Sequence, residues 1–191
     1  MRLIRVCVVN CDLLIKQSLA EDSKVGEAIK SFMDKRMDVP DDLIIPLLRN
    51  RLSQLDCVTR GWVLHAFPTT RRQSEGLTNL GFEPNRVLLL DVPKDTILER
   101  LTLRSTDPQT GERYHLLYNP PRTNEIKQRL QTHPEDQEDR VTERFLAYQE
   151  HVEDIADYYE RFAQHINADQ DPHTVFEYIE SMIVNPLPRK E

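Results

Sequence analysis

An α/β domain built on a parallel β-sheet, with helices on both faces, is the fold class that this sequence predicts. Three observations predict it. Short aliphatic runs, LIRVCVV at residues 3–9, GWVL at 61–64 and RVLLLDV at 86–92, are continuous rather than alternating, as strands covered on both faces are. Segments with helical patterning separate these runs, which is the order expected of a parallel sheet. The chain has 191 residues, enough for one ordinary globular domain with a real core.

The elements follow in order. Residues 3–9 form the first strand. Asp12 is placed to cap a short helix over 13–20. A second helix spans 23–34, with Val25, Ile29, Phe32 and Met33 on one face. Residues 37–40 break the pattern. Pro40 followed by Asp41 and Asp42 suits a helical first turn, where a missing N–H costs nothing and acidic groups meet the positive end of the dipole. That helix runs to about Leu52. A buried strand at 61–64 and a helix over 71–79, ended by Gly81, come next. Residues 86–92 are the most strand-like stretch, and Pro93 and Lys94 open a helix over 95–104.

Turn residues dominate 106–121, which reads as a lid or long loop. A helix over 123–131 precedes a long one that starts at Pro134, Glu135 and Asp136 and reaches Phe162. Its apolar side is Val141, Phe145, Tyr148, Val152, Ile155 and Tyr159. Residues 165–169 form a last strand, 172–182 a closing helix and 185–191 a polar tail. One domain over 1–184 is therefore expected, without internal repeats.

Composition narrows the function. A net charge of −7 argues against a general nucleic-acid or membrane-surface binder, since both need a basic face. No apolar run approaches the roughly 18–20 residues needed to span a bilayer, and the start, MRLIRVCVVN, lacks a secretory cleavage pattern. Cys7, Cys11 and Cys57 read as reduced thiols, which predicts a cytoplasmic setting. Cys7 and Cys11 are four apart with no second pair or His cluster near them in sequence, and the lid region holds no cysteine, so no protein-bound zinc is expected.

Three stretches carry chemistry. GWVLHAFPTTRRQ at 61–73 reads as a strand, a sharp Phe-Pro turn and a helix bearing Gln73. DPQTGERYH at 107–115 and NPP at 119–121 read as a small hairpin lid flanked by Arg100 and Arg104. Taken alone, the two arginines are ordinary helix-end charges, Gln73 is a solvent-facing helix residue, and Glu135 and Asp136 are N-terminal helix charges.

Strand, turn and arginine-edged lid in this order resemble the adenylate kinases and other nucleoside monophosphate kinases, over residues 9–182. DPxTGxxYH is the most specific of the matching motifs. The resemblance implies a P-loop NTPase-like sheet with monophosphate-binding helices over 10–39 and a lid over 104–134. It implies phosphoryl transfer from ATP, with Mg2+, to AMP or another nucleoside monophosphate. Backbone groups near Met37 and Val39 would hold adenine. Ala66, Phe67, Pro68 and Thr69 would turn over the AMP phosphate, and Gln73 would bond the base. Arg100 and Arg104 would clamp ATP, Tyr114 and His115 would sit in the lid, and Arg144 would face the transferred phosphate. Asp136 would pin the lid. Such a reaction draws its rate from positioning and from spreading phosphate charge, a task that planar guanidinium groups suit. The closing run DQDPHTVFEYIES looks similar to the second domain of a two-domain family member of cilia and flagella. That implies axonemal proteins as partners and an axonemal location.

The sequence also departs from the family. None of its five glycines falls in a GxxxxGK[ST] pattern, so the 191 residues hold no Walker loop. The resemblance implies that this loop and the first strand of the sheet would lie before Met1. The positions where the family carries arginines are Ile15, Thr69 and His133, and the acid and glycine of the phosphate turn are His65 and Ala66. Each hydrogen bond to a charged group contributes about 1.5–3 kcal/mol. Losing two or three should weaken binding or transfer on the order of 10³-fold. A nearly inactive chain is expected. A non-catalytic docking module of an axonemal assembly is the alternative.

Overall fold

The computed structural model describes residues 6–21, 24–35 and 37–185. The chain divides into two compact units, Met1–Glu83 and Pro84–Glu191. The start of the expected first strand, the first residue of the expected second helix and most of the polar tail lie outside the described residues.

In the first unit, β1 (Cys7–Asn10) is followed by α1 (Cys11–Ala20), α2 (Lys24–Asp34), α3 (Asp41–Leu52) and α4 (Leu55–Arg60). Then come β2 (Trp62–His65) and α5 (Arg71–Asn79). β1 and β2 pair in parallel, with Cys7 opposite Trp62 and Asn10 opposite His65. Parallel neighbours need a long crossover, and α1 to α4 supply it. Val9, Cys11, Ile44, Leu48, Leu52, Cys57, Phe67 and Leu77 are buried together as the core of this unit.

Several local expectations change here. Asn10, not Asp12, caps α1: its Oδ1 accepts from the Leu13 N–H at 2.9 Å. The helix thus starts two residues early and leaves Asp12 in the first turn, where it meets the dipole. On α2, Gly26 and Ile29 are buried while Val25 and Met33 are exposed. The reason is a close approach of backbones, since a Cβ at Gly26 would lie 2.2 Å from the Ser18 carbonyl oxygen. The short α4 was not expected, because six residues are too few to show a helical period. The strands are also less covered than their sequences suggest, with Val8 and Val63 exposed.

The second unit runs β3 (Val87–Asp91), α6 (Lys94–Thr102), β4 (Arg104–Thr106), β5 (Arg113–His115) and α7 (Asn124–Arg129). A 3-10 turn (Pro134–Asp136), α8 (Glu138–Tyr158), β6 (Ala163–Asn167) and α9 (Pro172–Val184) complete it. β3 and β6 pair in parallel from Val87–Ala163 to Asp91–Asn167. β4 and β5 form an antiparallel hairpin in which Arg104 faces His115. The described strands thus make two parallel pairs and one hairpin among abundant helix, a mixed α/β fold as expected.

Several boundaries differ from the sequence reading. The last strand runs Ala163–Asn167 rather than over 165–169, the long helix ends at Tyr158 rather than Phe162, and the helix expected over 123–131 spans Asn124–Arg129. The expected helix over 95–104 stops at Thr102 because Arg104 is recruited into the hairpin. The expected long helix does not begin at Pro134. The 3-10 turn comes first, Gln137 is extended (ψ 146°), and α8 starts at Glu138. Val141 and Ile155 on α8 and Tyr159 just past its end are buried as the apolar period predicts, Phe145 and Val152 are half-buried, and Tyr148, expected on the same side, is exposed. Among the described residues no helix is long and apolar enough to cross a membrane.

Candidate functional site

Ligands of parallel α/β sheets bind outside the carboxyl ends of the strands. In the first unit that edge is made by Asn10 and His65, whose side chains are 3.1 Å apart at their nearest. The chain then turns sharply. Ala66 has φ +62°, and the Phe67–Pro68 peptide is cis. Phe67 is buried in the core and anchors the turn. Thr70 caps α5 by accepting from the Gln73 N–H. The Gln73 carboxamide faces back: its Oε1 accepts from the Thr69 N–H at 2.8 Å and from the Thr69 hydroxyl at 3.0 Å. Its Nε2 donates to Asp41 Oδ1 at 2.9 Å. The orientation of this amide is set from both ends, with Asp41 as a partner that the sequence reading missed. Val39 packs against the same core, while Met37 is exposed with its N–H on the Phe32 carbonyl.

In the second unit the hairpin is braced by charge. Asp107, wholly buried, accepts from Arg129 Nε at 2.8 Å and Nη2 at 2.6 Å, and also from the Gln109 N–H and the Thr110 hydroxyl. The Arg129 guanidinium holds the Asp107 carboxyl well below the usual carboxylate range, against the opposing effect of burial. Tyr114 is buried and donates to Glu112 Oε2 at 2.8 Å; that bond, and then burial, raise its pKa. His115 accepts at Nδ1 from the Leu117 and Tyr118 N–H groups, which leaves Nε2 to donate to the Glu99 carbonyl at 3.2 Å. His115 also stacks on Tyr118, with ring centroids 4.5 Å apart.

Arg104 donates to the buried Asp136 through Nη2 at 2.7 Å and through Nε. Arg144 donates to the Glu135 carbonyl at 2.7 Å. Two of the three candidate arginines therefore reach adjacent residues of one turn. Arg100 turns elsewhere, to the carbonyls of Ala168 at 3.0 Å and Gln170 at 3.1 Å, with Asp169 at 3.8 Å.

Asp169 lines a cleft of about 570 Å³ together with Leu90, Asp91, Tyr148, His165 and Asn167. The side chains of Asp91, at the carboxyl end of β3, and His165, opposite Leu89 on β6, approach to 3.0 Å. Sequence reasoning passed over this pair. The available signal was the single acid closing the run RVLLLD.

Comparison with known proteins places these features in a lineage. Residues 4–164 match the family model described as adenylate kinase. The chain belongs to the adenylate kinase family. It is 50% identical over 182 residues, 95% of its length, to adenylate kinase 8 of Rattus norvegicus, and 49% identical over 189 residues to adenylate kinase 8 of Homo sapiens. It covers 38% and 39% of those two proteins, so it spans about two fifths of the curated relatives it matches. A chloroplastic adenylate kinase of Zea mays is 33% identical over 177 residues, and there the match covers 80% of the relative. The resemblance read from the motifs and the α/β fold class are both borne out.

Proposed function

We propose that this chain is a nucleoside monophosphate kinase domain that binds ATP with Mg2+ and AMP or another nucleoside monophosphate, and that phosphoryl transfer is weak in the chain alone. One observation carries the reading. Arg104 and Arg144, forty positions apart, reach adjacent residues of one turn at the base of a braced hairpin. Paired guanidinium groups beside a lid suit a reaction whose transition state is stabilised by positive charge rather than by covalent chemistry. Arg100 is assigned to ATP as well, with its guanidinium on the carbonyls of Ala168 and Gln170 and not on the turn that Arg104 and Arg144 reach. Asp91 is half-exposed and keeps lone pairs free, which fits the way magnesium is held by one or two carboxylates and water beside phosphates. The ion would supply charge neutralisation to the phosphates; the protein groups bind and orient them.

On the monophosphate side, Gln73, Val39 and Met37 are assigned to the base and the turn of Ala66, Phe67, Pro68 and Thr69 to the phosphate. Tyr114 and His115 belong to the lid and shape its hairpin. Weakness follows from the residues present. No Walker pattern occurs in the 191 residues, and Ile15, Thr69 and His133 offer no guanidinium. Arg104 is already neutralised by Asp136. A coupled assay of ADP formation on the purified chain should give turnover below about 1 s⁻¹, the low end of ordinary enzymes; a faster rate would refute the claim of weakness. MgATP or AMP at millimolar concentration should still raise the thermal midpoint.

The absent Walker pattern favours a second reading, a non-catalytic docking module whose partners are ciliary or axonemal proteins. The corresponding stretch in the relatives named adenylate kinase 8 would then be their second, C-terminal kinase domain. No midpoint shift with either nucleotide, together with binding to axonemal extracts, would favour that reading over the enzyme.

A further inference from the structure

Cys7 on β1 and Cys57 on α4 are fifty positions apart, yet their sulfurs and a carboxylate oxygen of Asp56 lie within 4.8 Å of one another. Both thiols are free and buried, at 8% and 1% exposure. The Cys7 thiol donates to Asp56 Oδ2 at 3.2 Å. Arg51, in the last turn of α3, closes the cluster. Its Nη1 donates to Asp56 Oδ1 at 2.9 Å and to Cys57 Sγ at 3.0 Å, and its Nη2 donates to Asp56 Oδ2 at 2.8 Å. The Asp56 side chain is 31% exposed, so the cluster opens to solvent on that side.

We propose that Cys7, Cys57 and Asp56 form a binding site for one thiophilic divalent cation of the zinc class, with Arg51 as its outer partner. Two sulfurs and one carboxylate oxygen are a donor set that zinc accepts, and three protein ligands leave a fourth tetrahedral position for water on the open side. The charges close. Two thiolates and a carboxylate carry three negative charges, and a divalent cation with one guanidinium carries three positive ones. Arg51 thus removes the net charge that would make a buried site costly, while orienting both Asp56 and Cys57. On binding, each thiol gives up its proton to solvent and forms a metal–sulfur bond, so two protons leave per cation.

The rival use of two adjacent thiols is a disulfide. A disulfide would leave the Asp56 carboxylate beside the sulfurs unused, whereas a bound cation takes all three ligand atoms. The site departs from the expectation of no protein-bound zinc, which rested on the spacing of Cys7 and Cys11 and on a lid without cysteines. Cys11 lies in the same core but outside the cluster, its thiol pushed up to about 11 by burial and then by Asp12.

The test is titration of the fully reduced chain with Cd2+, followed by ultraviolet sulfur-to-cadmium charge transfer and by proton release, with Zn2+ as competitor. The expected result is saturation at one equivalent, two protons released, displacement by Zn2+ and a raised thermal midpoint. Cys11→Ser should leave the titration unchanged. Cys7→Ser and Cys57→Ser should each weaken binding by at least the roughly 10–100-fold that loss of an outer partner costs. Asp56→Asn, at a half-exposed position that spares the core, should weaken it by about tenfold or more. The proposal falls if the native chain shows no saturable band. It also falls if a folded variant lacking both Cys7 and Cys57 keeps the band, or if the reduced chain closes a Cys7–Cys57 disulfide under mild peroxide but takes up no cadmium.

Discussion

Arg104 and Asp136 meet at the base of the hairpin, guanidinium to carboxylate through two hydrogen bonds, with the carboxylate only 3% exposed and the arginine 45%. This pair ties the first residue of β4 to the turn that precedes α8, thirty-two positions away. Breaking a buried pair is costly when the surviving charge stays buried, but Arg104 can rehydrate. Asp136→Ala should therefore cost about 1–2 kcal/mol, between the values for exposed and buried pairs. Asp136→Asn should cost less. Urea denaturation of the two variants beside the native chain measures both.

Gly26 is where α2 lies directly on the backbone of α1. A methyl group there would sit 2.2 Å from the Ser18 carbonyl oxygen and 3.0 Å from that of Glu21, neither of which is a flexible side-chain end. Gly26→Ala should destabilise by about 1–3 kcal/mol or more, as overpacking does, despite the better helix propensity of alanine. A fall in thermal midpoint reads it out; an unchanged midpoint would mean that the helices part at no cost.

Ala66 presents the opposite case. Its φ of +62° puts a Cβ into the left-handed region, which costs an L-residue roughly 1–2 kcal/mol. Ala66→Gly relieves this but frees the unfolded chain, which takes back about 0.4–1 kcal/mol. A net gain of about 0.5–1 kcal/mol is expected from the same two ranges, visible as a higher denaturation midpoint.

Acid should loosen the hairpin. The folded pKa of Asp107 is depressed by Arg129, then by the Gln109 N–H and the Thr110 hydroxyl. A depressed carboxylate contributes stability that is fully present above its unfolded pKa of about 3.9 and is lost as pH falls through the folded value. Amide protection in residues 104–115, taken relative to the intrinsic exchange rate at each pH, should therefore fall below about pH 4. Asp107→Asn should already exchange fast at neutral pH, with a much flatter acid response. Equal pH profiles for the native chain and the variant would contradict the assignment.

Much of this molecule was legible in one dimension. The helix opened by Pro40, Asp41 and Asp42 and the helix at Arg71–Asn79 depend on signals within a few residues, and the strand in RVLLLDV was legible from its aliphatic run although its partner β6 is distant in sequence. The motif GWVLHAFP and the run DPQTGERYH carried the family because turn geometry and bracing hydrogen bonds restrict residue types locally. Where the reading slipped, a distant partner had intervened. Arg104 left its helix for a strand because β5 was there to pair with it, and the face of α2 was chosen by a neighbouring backbone rather than by its largest side chains.

The sequence by itself determined the alternation of strand and helix, the lineage, the acidic balance and the lack of a Walker pattern, since each is a property of residue order. Only the tertiary structure decided which charges became partners. Arg104 with Asp136, Gln73 with Asp41, Asp91 with His165, and Cys7 with Asp56 and Cys57 are separated by thirty to seventy-four positions. No local pattern encodes such distances. They arise when apolar burial folds the crossovers back and brings remote polar groups within hydrogen-bonding reach.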